Sequence, residues 1–323
     1  MKKHLYLFFV LMITASMTNC GGSDDSSNNP PSGEIATKNP YIVKQGNGPS
    51  GNTNKNMTGI AELDNSIEIP RVLGDNNHPL LIRVVPTYGL NYVVEWDNLK
   101  RSQRWTAYRA YNGNSGNNWK RDYWKSTEWG GDPFQPDPDL PQAVRTELSD
   151  YSGSGYTRGH IIASQDRVNS KEANEQTFYL SNMQPQLYSF NGAPGVWGQM
   201  EIFLRDNWNK SSFRDYLYVV KGGTIRDDQI KEYKSNGRLL VPRYFFMAAV
   251  CLRKGTYKGI AFWADHSEKQ PTNNTDAIKM FKQKIISIDD LEAKTGIDFF
   301  CNLPDNIENQ IESSVDKAYW SVE

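Results

Sequence analysis

Tyr156-Thr157-Arg158-Gly159-His160-Ile161-Ile162-Ala163 is the stretch that decides how this chain is read. It puts a guanidinium two residues from an imidazole, and on a strand residues i and i+2 share one face. Gly159 between them lets a phosphate or another backbone come close. Imidazoles are scarce here. Of four histidines, His4 sits in the apolar leader, so only His78, His160 and His266 remain for catalysis or metal binding. Three cysteines without CxxC spacing add no zinc ligand set. Downstream, Thr177 to Gln186 leads through Asn191 into a stretch from Pro194 to Trp208, where Trp197, Met200, Leu204 and Trp208 recur on one helical face. Glu201 and Arg205 stand there at i, i+4 and face the same side. Arginine, imidazole, amide and carboxylate can therefore converge. Each also has a plainer role: a surface ion pair for Glu201 and Arg205, and turn positions for Asn182 and Asn191.

Outward from this stretch the pattern is short, β-branched and aromatic. Runs at Leu80 to Val85, Tyr92 to Trp96, Trp105 to Tyr111, Tyr216 to Val220, Leu239 to Val250 and Gly259 to Trp263 are bounded by Gly, Asn, Asp and Pro. Helical periodicity reappears at Ile288 to Thr295 and Asp305 to Val315. The expected fold class is α+β, a central mainly antiparallel sheet flanked by helices. In 323 residues, 36 basic side chains meet 37 acidic ones, a net charge of -1, which excludes a polycation and confines any polyanion site to a local patch. Aromatics at 12% supply a core that a disordered chain lacks.

The first twenty residues stand apart. Lys2 and Lys3, an apolar run from Leu5 to about Met17, and Cys20 read as an export signal too short to span a bilayer. The ending Met17-Thr18-Asn19-Cys20 resembles a bacterial lipoprotein cleavage box, which implies a lipid on Cys20 and anchoring at the cell envelope, at the outer membrane or cell surface. Residues 21–75 are rich in Ser, Asn, Gly and Pro and read as a flexible tether, structured only near Ile60 to Val72. The folded domain is expected over 76–323.

The ordered series Thr157-Arg158-Gly159-His160, Asn182-Met183-Gln184-Pro185-Gln186, Asn191 and Trp197-Gly198-Gln199-Met200-Glu201 resembles the DNA/RNA non-specific endonuclease family. These are the sugar-non-specific nucleases of the ββα-metal, or His-Me finger, class. The likeness continues through Tyr218 to Gly223, Val241 to Phe246 and Leu291 to Phe300, covering about residue 90 to the C-terminus. It implies a ββα-metal motif and metal-dependent hydrolysis of DNA and RNA with little sequence preference, leaving 5′-phosphate ends. By the resemblance, His160 is the general base, a role worth about 10² to 10⁴ in rate. Asn191 is the single direct protein ligand of a hydrated Mg²⁺, with Mn²⁺ or Ca²⁺ as alternatives. Glu201 holds metal-bound waters, Arg158 and Arg205 contact phosphoryl oxygens, and Asn182 orients the finger. No small-molecule cofactor is implied. Some members form homodimers, and this chain is open between monomer and homodimer.

Two positions depart from the family pattern. Thr157 replaces the acidic residue that opens the motif, and no Arg precedes Asp132-Pro133 in Glu128 to Pro138. These departures motivate the alternative of a catalytically silent surface protein that binds nucleic acid or a partner; a phosphodiesterase acting on smaller substrates is a second enzymatic reading. Lys100, Arg101, Arg104, Arg109, Lys120, Arg121 and Lys125, interleaved with Trp105, Trp119 and Trp124, form either a backbone-binding strip or a solvated face with core tryptophans. Cys251 and Cys301 remain once Cys20 is assigned to lipid, and export permits a disulfide between them. His78 lies in a loop and is expected to be inert, and His266 is expected to be structural.

Overall fold

The structure is a computed structural model describing residues 51–120 and 132–323. The leader with Cys20, the tether up to residue 50, and Arg121, Trp124, Lys125 and Glu128 to Gly131 lie outside the described residues. β1 (Leu80–Val85), β2 (Gly89–Asp97), β3 (Ser102–Tyr111), β6 (Tyr216–Gly223), β9 (Tyr244–Arg253), β10 (Thr256–Asp265) and β11 (Ile285–Ile286) form one antiparallel sheet in the order β1-β2-β3-β6-β9-β10-β11. β4 (Thr157–His160) pairs with β5 (Met183–Gln186) in a separate antiparallel ribbon, and β7 (Ile230–Lys234) pairs with β8 (Leu239–Pro242) in a hairpin. The helices are α1 (Ala61–Asp64), α2 (Leu148–Tyr151), α3 (Lys171–Gln176), α4 (Tyr188–Asn191), α5 (Val196–Phe203), α6 (Asn274–Gln283), α7 (Ile288–Thr295), α8 (Asp305–Glu312) and α9 (Lys317–Trp320). This is the expected α+β class.

Strand alternation builds two cores. On β9, Phe245, Met247, Ala249 and Cys251 face one side, while Phe246, Ala248 and Val250 face the other. The first face is covered by Trp197 and Met200 of α5, then Leu204, Trp208, Phe281 of α6 and Trp320 of α9. The second is covered by Leu63, Ile69, Ile288 and Leu291 of α7, Phe299, Phe300 and Ile311 of α8. A sheet buried on both faces explains why its strands read as near-continuous apolar runs.

Four expectations are corrected. Residues 51–75 are not the end of a tether. Leu63 and Ile69 are fully buried, Asn52 donates to Leu303 O at 2.7 Å, and Arg71 N donates to Asp298 O at 2.8 Å, so the segment is part of the body. The run Leu239 to Val250 is two strands, because Pro242 cannot donate to a ladder and Arg243 turns the chain between sheets. Cys251 and Cys301 are free thiols on opposite faces of the sheet. Tyr319 Oη donates to Cys251 Sγ at 3.2 Å, and Asn56 Nδ2 donates to Cys301 Sγ at 3.3 Å. The basic run, left open between a binding strip and a solvated face with core tryptophans, is neither in full along β3: Trp105 is core, but Arg104 pairs with buried Glu95 and Arg109 bonds Glu68 at 2.7 Å, because β3 is a central strand with both faces covered.

Removing residues 1–50 should leave stability intact, whereas removing 1–75 should lower the unfolding free energy by roughly 3 to 6 kcal/mol, the burial of Leu63 and Ile69 alone. Urea unfolding of the two shortened proteins measures it; equal midpoints would show that the segment contributes nothing.

Candidate active site

β4 and β5 hold the candidate residues, and a buried carboxamide fixes them. Asn182, fully buried, accepts from Ile162 N at 3.0 Å and donates to Ile162 O at 3.1 Å and Thr177 O at 2.9 Å, while Ile161 N donates to Asn182 O at 3.0 Å. The backbone just beyond His160 is thus pinned by both amide atoms and by the main chain of one residue. Gln184 ties this ribbon to the main sheet, donating to Ser102 Oγ at 3.0 Å and accepting from Gly223 N at 2.5 Å. His160 itself is 9% exposed, with Phe134 and Phe178 rings 5.4 and 5.3 Å from its own. Gly159 does not open a path for phosphate. A Cβ there would lie 2.3 Å from the Gln186 side chain, so the glycine makes room for that amide.

Asn191 ends α4 and is joined to the His160 strand by Thr157. Asn191 Nδ2 donates to Thr157 Oγ1 at 3.3 Å, and Thr157 Oγ1 donates to Gln186 O at 2.9 Å. α5 then rides directly on Asn191: a Cβ on Gly198 would meet Asn191 O at 2.9 Å. Glu201 is one helical turn beyond Gly198 on that same face. The segment entering α4 is held by His266, fully buried, whose Nε2 accepts from Leu187 N at 2.5 Å. The other ring nitrogen, Nδ1, then carries the proton and faces Pro242 O at 3.2 Å. Burial lowers the His266 pKa to about 4, so its role is structural, as expected. His78 is likewise held in its loop by Asp75 at 2.8 Å.

Glu201 and Arg205 share a cluster, yet each has its own ion-pair partner. Glu201 Oε1 lies 3.6 Å from Lys221 Nζ, and Arg205 Nε lies 3.6 Å from Asp166 Oδ1. A π-helical turn over Leu204–Trp208, closed by Asn209 N to Leu204 O at 2.8 Å, follows directly on α5 and includes Arg205. Lys221 and Asp166 are almost fully buried, and sequence reading missed both. The signal was present for Lys221, a charge inside the apolar run of β6 (YLYVVKGG). Its ammonium also lies 5.8 and 5.6 Å from the rings of Tyr108 and Trp197. Burial raises the Glu201 pKa to about 7 against the opposing pull of Lys221. Glu201 Oε1, both Asp166 carboxylate oxygens, Lys221 Nζ and Arg205 Nη1 are buried with no hydrogen-bond partner among the described residues.

Arg158 shares the His160 side of β4. Its Nη1 bonds Asp132 Oδ2 at 2.5 Å, and its guanidinium lies 4.0 Å over the Phe134 ring. Asp132 and Phe134, read in the sequence only as neighbours of a missing arginine, thus hold Arg158 in place. Phe134, Tyr151 and Tyr156 line an open groove beside Thr157 and Arg158.

The residues fit a hydrated divalent cation. The Thr157 bond fixes the Asn191 amide by its nitrogen and leaves its oxygen to serve as a metal ligand, and the unmatched polar atoms around Glu201 suit bound water.

The fold has solved counterparts. A crystal structure of the EndoG/EndoGI complex matches with a TM-score of 0.56 at 21% identity, covering 70% of this chain and 88% of that one. Among curated proteins, a Nuclease of Nostoc sp. is 31% identical over 270 residues, 80% of this chain and 89% of the relative. Nuclease C1 of Cunninghamella echinulata is 31% identical over 66% of this chain and 81% of its own length. Xenopus laevis mitochondrial Nuclease EXOG is 30% identical, with 58% of that longer protein covered. Residues 79–306 match the family model described as DNA/RNA non-specific endonuclease, and the chain belongs to that family.

Two measurements test the site's construction. Lys221→Met should destabilise by about 3 kcal/mol, since it leaves a buried charge uncompensated, and combining it with Glu201→Gln should recover part of the loss; strict additivity would show the two side chains uncoupled. Because folding depresses the His266 pKa, the stability it contributes is complete above about pH 6.5 and falls as pH drops toward 4. Unfolding midpoints of parent and His266→Asn should therefore converge across that window; a pH-independent gap would refute the assignment.

Proposed function

We propose that this protein is an endonuclease that hydrolyses phosphodiester bonds of DNA and RNA with Mg²⁺ at Asn191. The observation that carries the reading is the Thr157 bridge, which joins the Asn191 amide to the His160 strand while the Glu201 helix rests on the Asn191 backbone. Asn191 would hold the ion through Oδ1 and Glu201 through water. When bound, the ion supplies neutralisation of phosphate charge and relief of a poor alkoxide leaving group. His160 takes the proton from the attacking water, and Phe134 and Phe178 keep its ring from turning away. Arg158 reaches a phosphoryl oxygen by exchanging Asp132 for it. Both partners of that pair are about a third or more exposed, so the ion pair is worth only about 0 to 1 kcal/mol and is readily displaced. Arg205 keeps Asp166 at Nε and offers Nη1 to the phosphate. Contacts to phosphate carry no base information, in keeping with a tolerant substrate range.

The leader and Cys20 support export and a lipid anchor at the cell envelope, where such an activity would degrade extracellular nucleic acid or scavenge nutrients. Purified protein should nick plasmid DNA and degrade RNA with Mg²⁺, and EDTA should abolish both. His160→Ala should lose about 10²- to 10⁴-fold in rate. Undiminished cleavage by that variant would remove the mechanism, and a parent inert with every divalent ion would favour nucleic-acid binding without catalysis.

A further inference from the structure

On the face of the sheet opposite Lys221 and Glu201, α7 and α8 bring acidic side chains together. Carboxylate oxygens of Asp289, Glu292 and Glu312 all lie within 4.8 Å of one another, with Asp289 exposed and the other two buried. Among the described residues this is the one group of three or more His, Cys, Asp or Glu side chains that close. Clustered acids alone do not make a site. Glu312 supplies the second observation: it is 4% exposed, and its Oε1 is buried with no hydrogen-bond partner among the described residues. Burying an unmatched carboxylate beside two others is costly unless a cation or a proton arrives.

The surroundings favour a cation. The neighbourhood of Glu312 is itself acidic: Asp289 and Glu292 share the cluster, and Asp298 and Glu308 stand beside it, joined by Asn54 Nδ2, which donates to Asp298 at 3.2 Å and to Glu308 at 2.8 Å. The Arg71 guanidinium bonds Asn54 O at 3.0 Å. We propose that Asp289, Glu292 and Glu312 form a structural site for a hard divalent cation, Ca²⁺ by preference, separate from Asn191. Three carboxylates offer up to about six oxygens, of which Glu292 Oε1 also accepts from Phe299 N at 2.8 Å, and such an uneven set suits the flexible oxygen coordination of Ca²⁺ better than the rigid octahedron of Mg²⁺. The ion would clamp α7 to α8; residues 52–54 dock on α8 through Thr53 to Asp305 and Asn54 to Glu308, and on the link between the two helices through Asn52 to Leu303 and Asn54 to Asp298. It would therefore secure the point where the chain leading from the N-terminus joins the body.

Equilibrium dialysis against Ca²⁺ and thermal unfolding with and without it test the site in the full chain. The parent and Asn191→Ala should both bind Ca²⁺ here and gain roughly 5 to 10 °C at a hundredfold excess over Kd. Glu312→Gln should lose that gain, bind roughly tenfold or more weakly, and keep its Mg²⁺-supported nuclease activity. Without Ca²⁺ it should be at least as stable as the parent, since a buried amide needs neither a cation nor a proton to offset it. Asp289→Asn, at an exposed position, should lose the gain too and reports even if Glu312→Gln does not fold. No Ca²⁺-dependent rise in Asn191→Ala, or the same rise in both carboxylate variants, overturns the proposal. Neither result bears on His160 or Asn191.

Discussion

One hydroxyl joins the three pieces on which the candidate site depends. Thr157 Oγ1 donates to Gln186 O on β5 and accepts from Asn191 Nδ2 at the end of α4. A hydroxyl can do both because it is donor and acceptor at once, which an ionised carboxylate is not. Thr157 therefore answers the departure from the acidic residue that opens the family motif. It removes a negative charge, but it replaces that charge with a bond that orients the amide. Because Asn191 in turn carries the backbone on which Gly198 and α5 sit, the placement of Glu201 follows from the same contact.

Glu201, Lys221, Asp166 and Arg205 give a second constraint, two acids and two bases gathered at the margin of the first core. A buried pair is seldom a net gain over apolar packing, since desolvation offsets most of the attraction. Its retention fits a demand for charge at a place where water must be held and phosphate received. The π-helical turn carries Arg205, whose ion pair runs to Asp166 on another element rather than along the helix to Glu201.

The sheet was legible because both of its faces are buried, which turns strands into apolar runs that no helix period explains. The one run misread, Leu239 to Val250, contains a proline whose effect depends on which strand lies beside it. The packed segment 51–75 was hidden because its polar composition looks like a tether. It is held by Asn52, Asn54 and Asn56 bonding to residues some 245 positions away, contacts that no local pattern encodes. At the site, Arg158, His160, Asn182, Asn191 and Glu201 were singled out through ordered motifs: Arg158 and His160 lie on β4, Asn182 directly precedes β5, Asn191 bonds Thr157 of β4, and Glu201 on α5 pairs instead with Lys221 of β6. Asp166 and Asp132 were missed because a partner charge can come from any element, and only the fold shows which arrives; for Lys221 the signal was present, a charge in an apolar strand, but its partner was not legible.

The same two-faced sheet separates chemistry from scaffolding. Residues of β6 alternate, so Lys221 faces α5 while its neighbour Val220 faces the core beneath α7 and α8. A charge on one face is therefore insulated from the other by a full layer of apolar side chains, and no titratable group need serve both. That insulation lets the acidic cluster on α7 and α8 crowd carboxylates without disturbing Glu201, and lets the cluster at Glu201 balance its own charges without reference to the helices behind it. Substitutions across the sheet should then behave independently, as expected for groups with no shared partner.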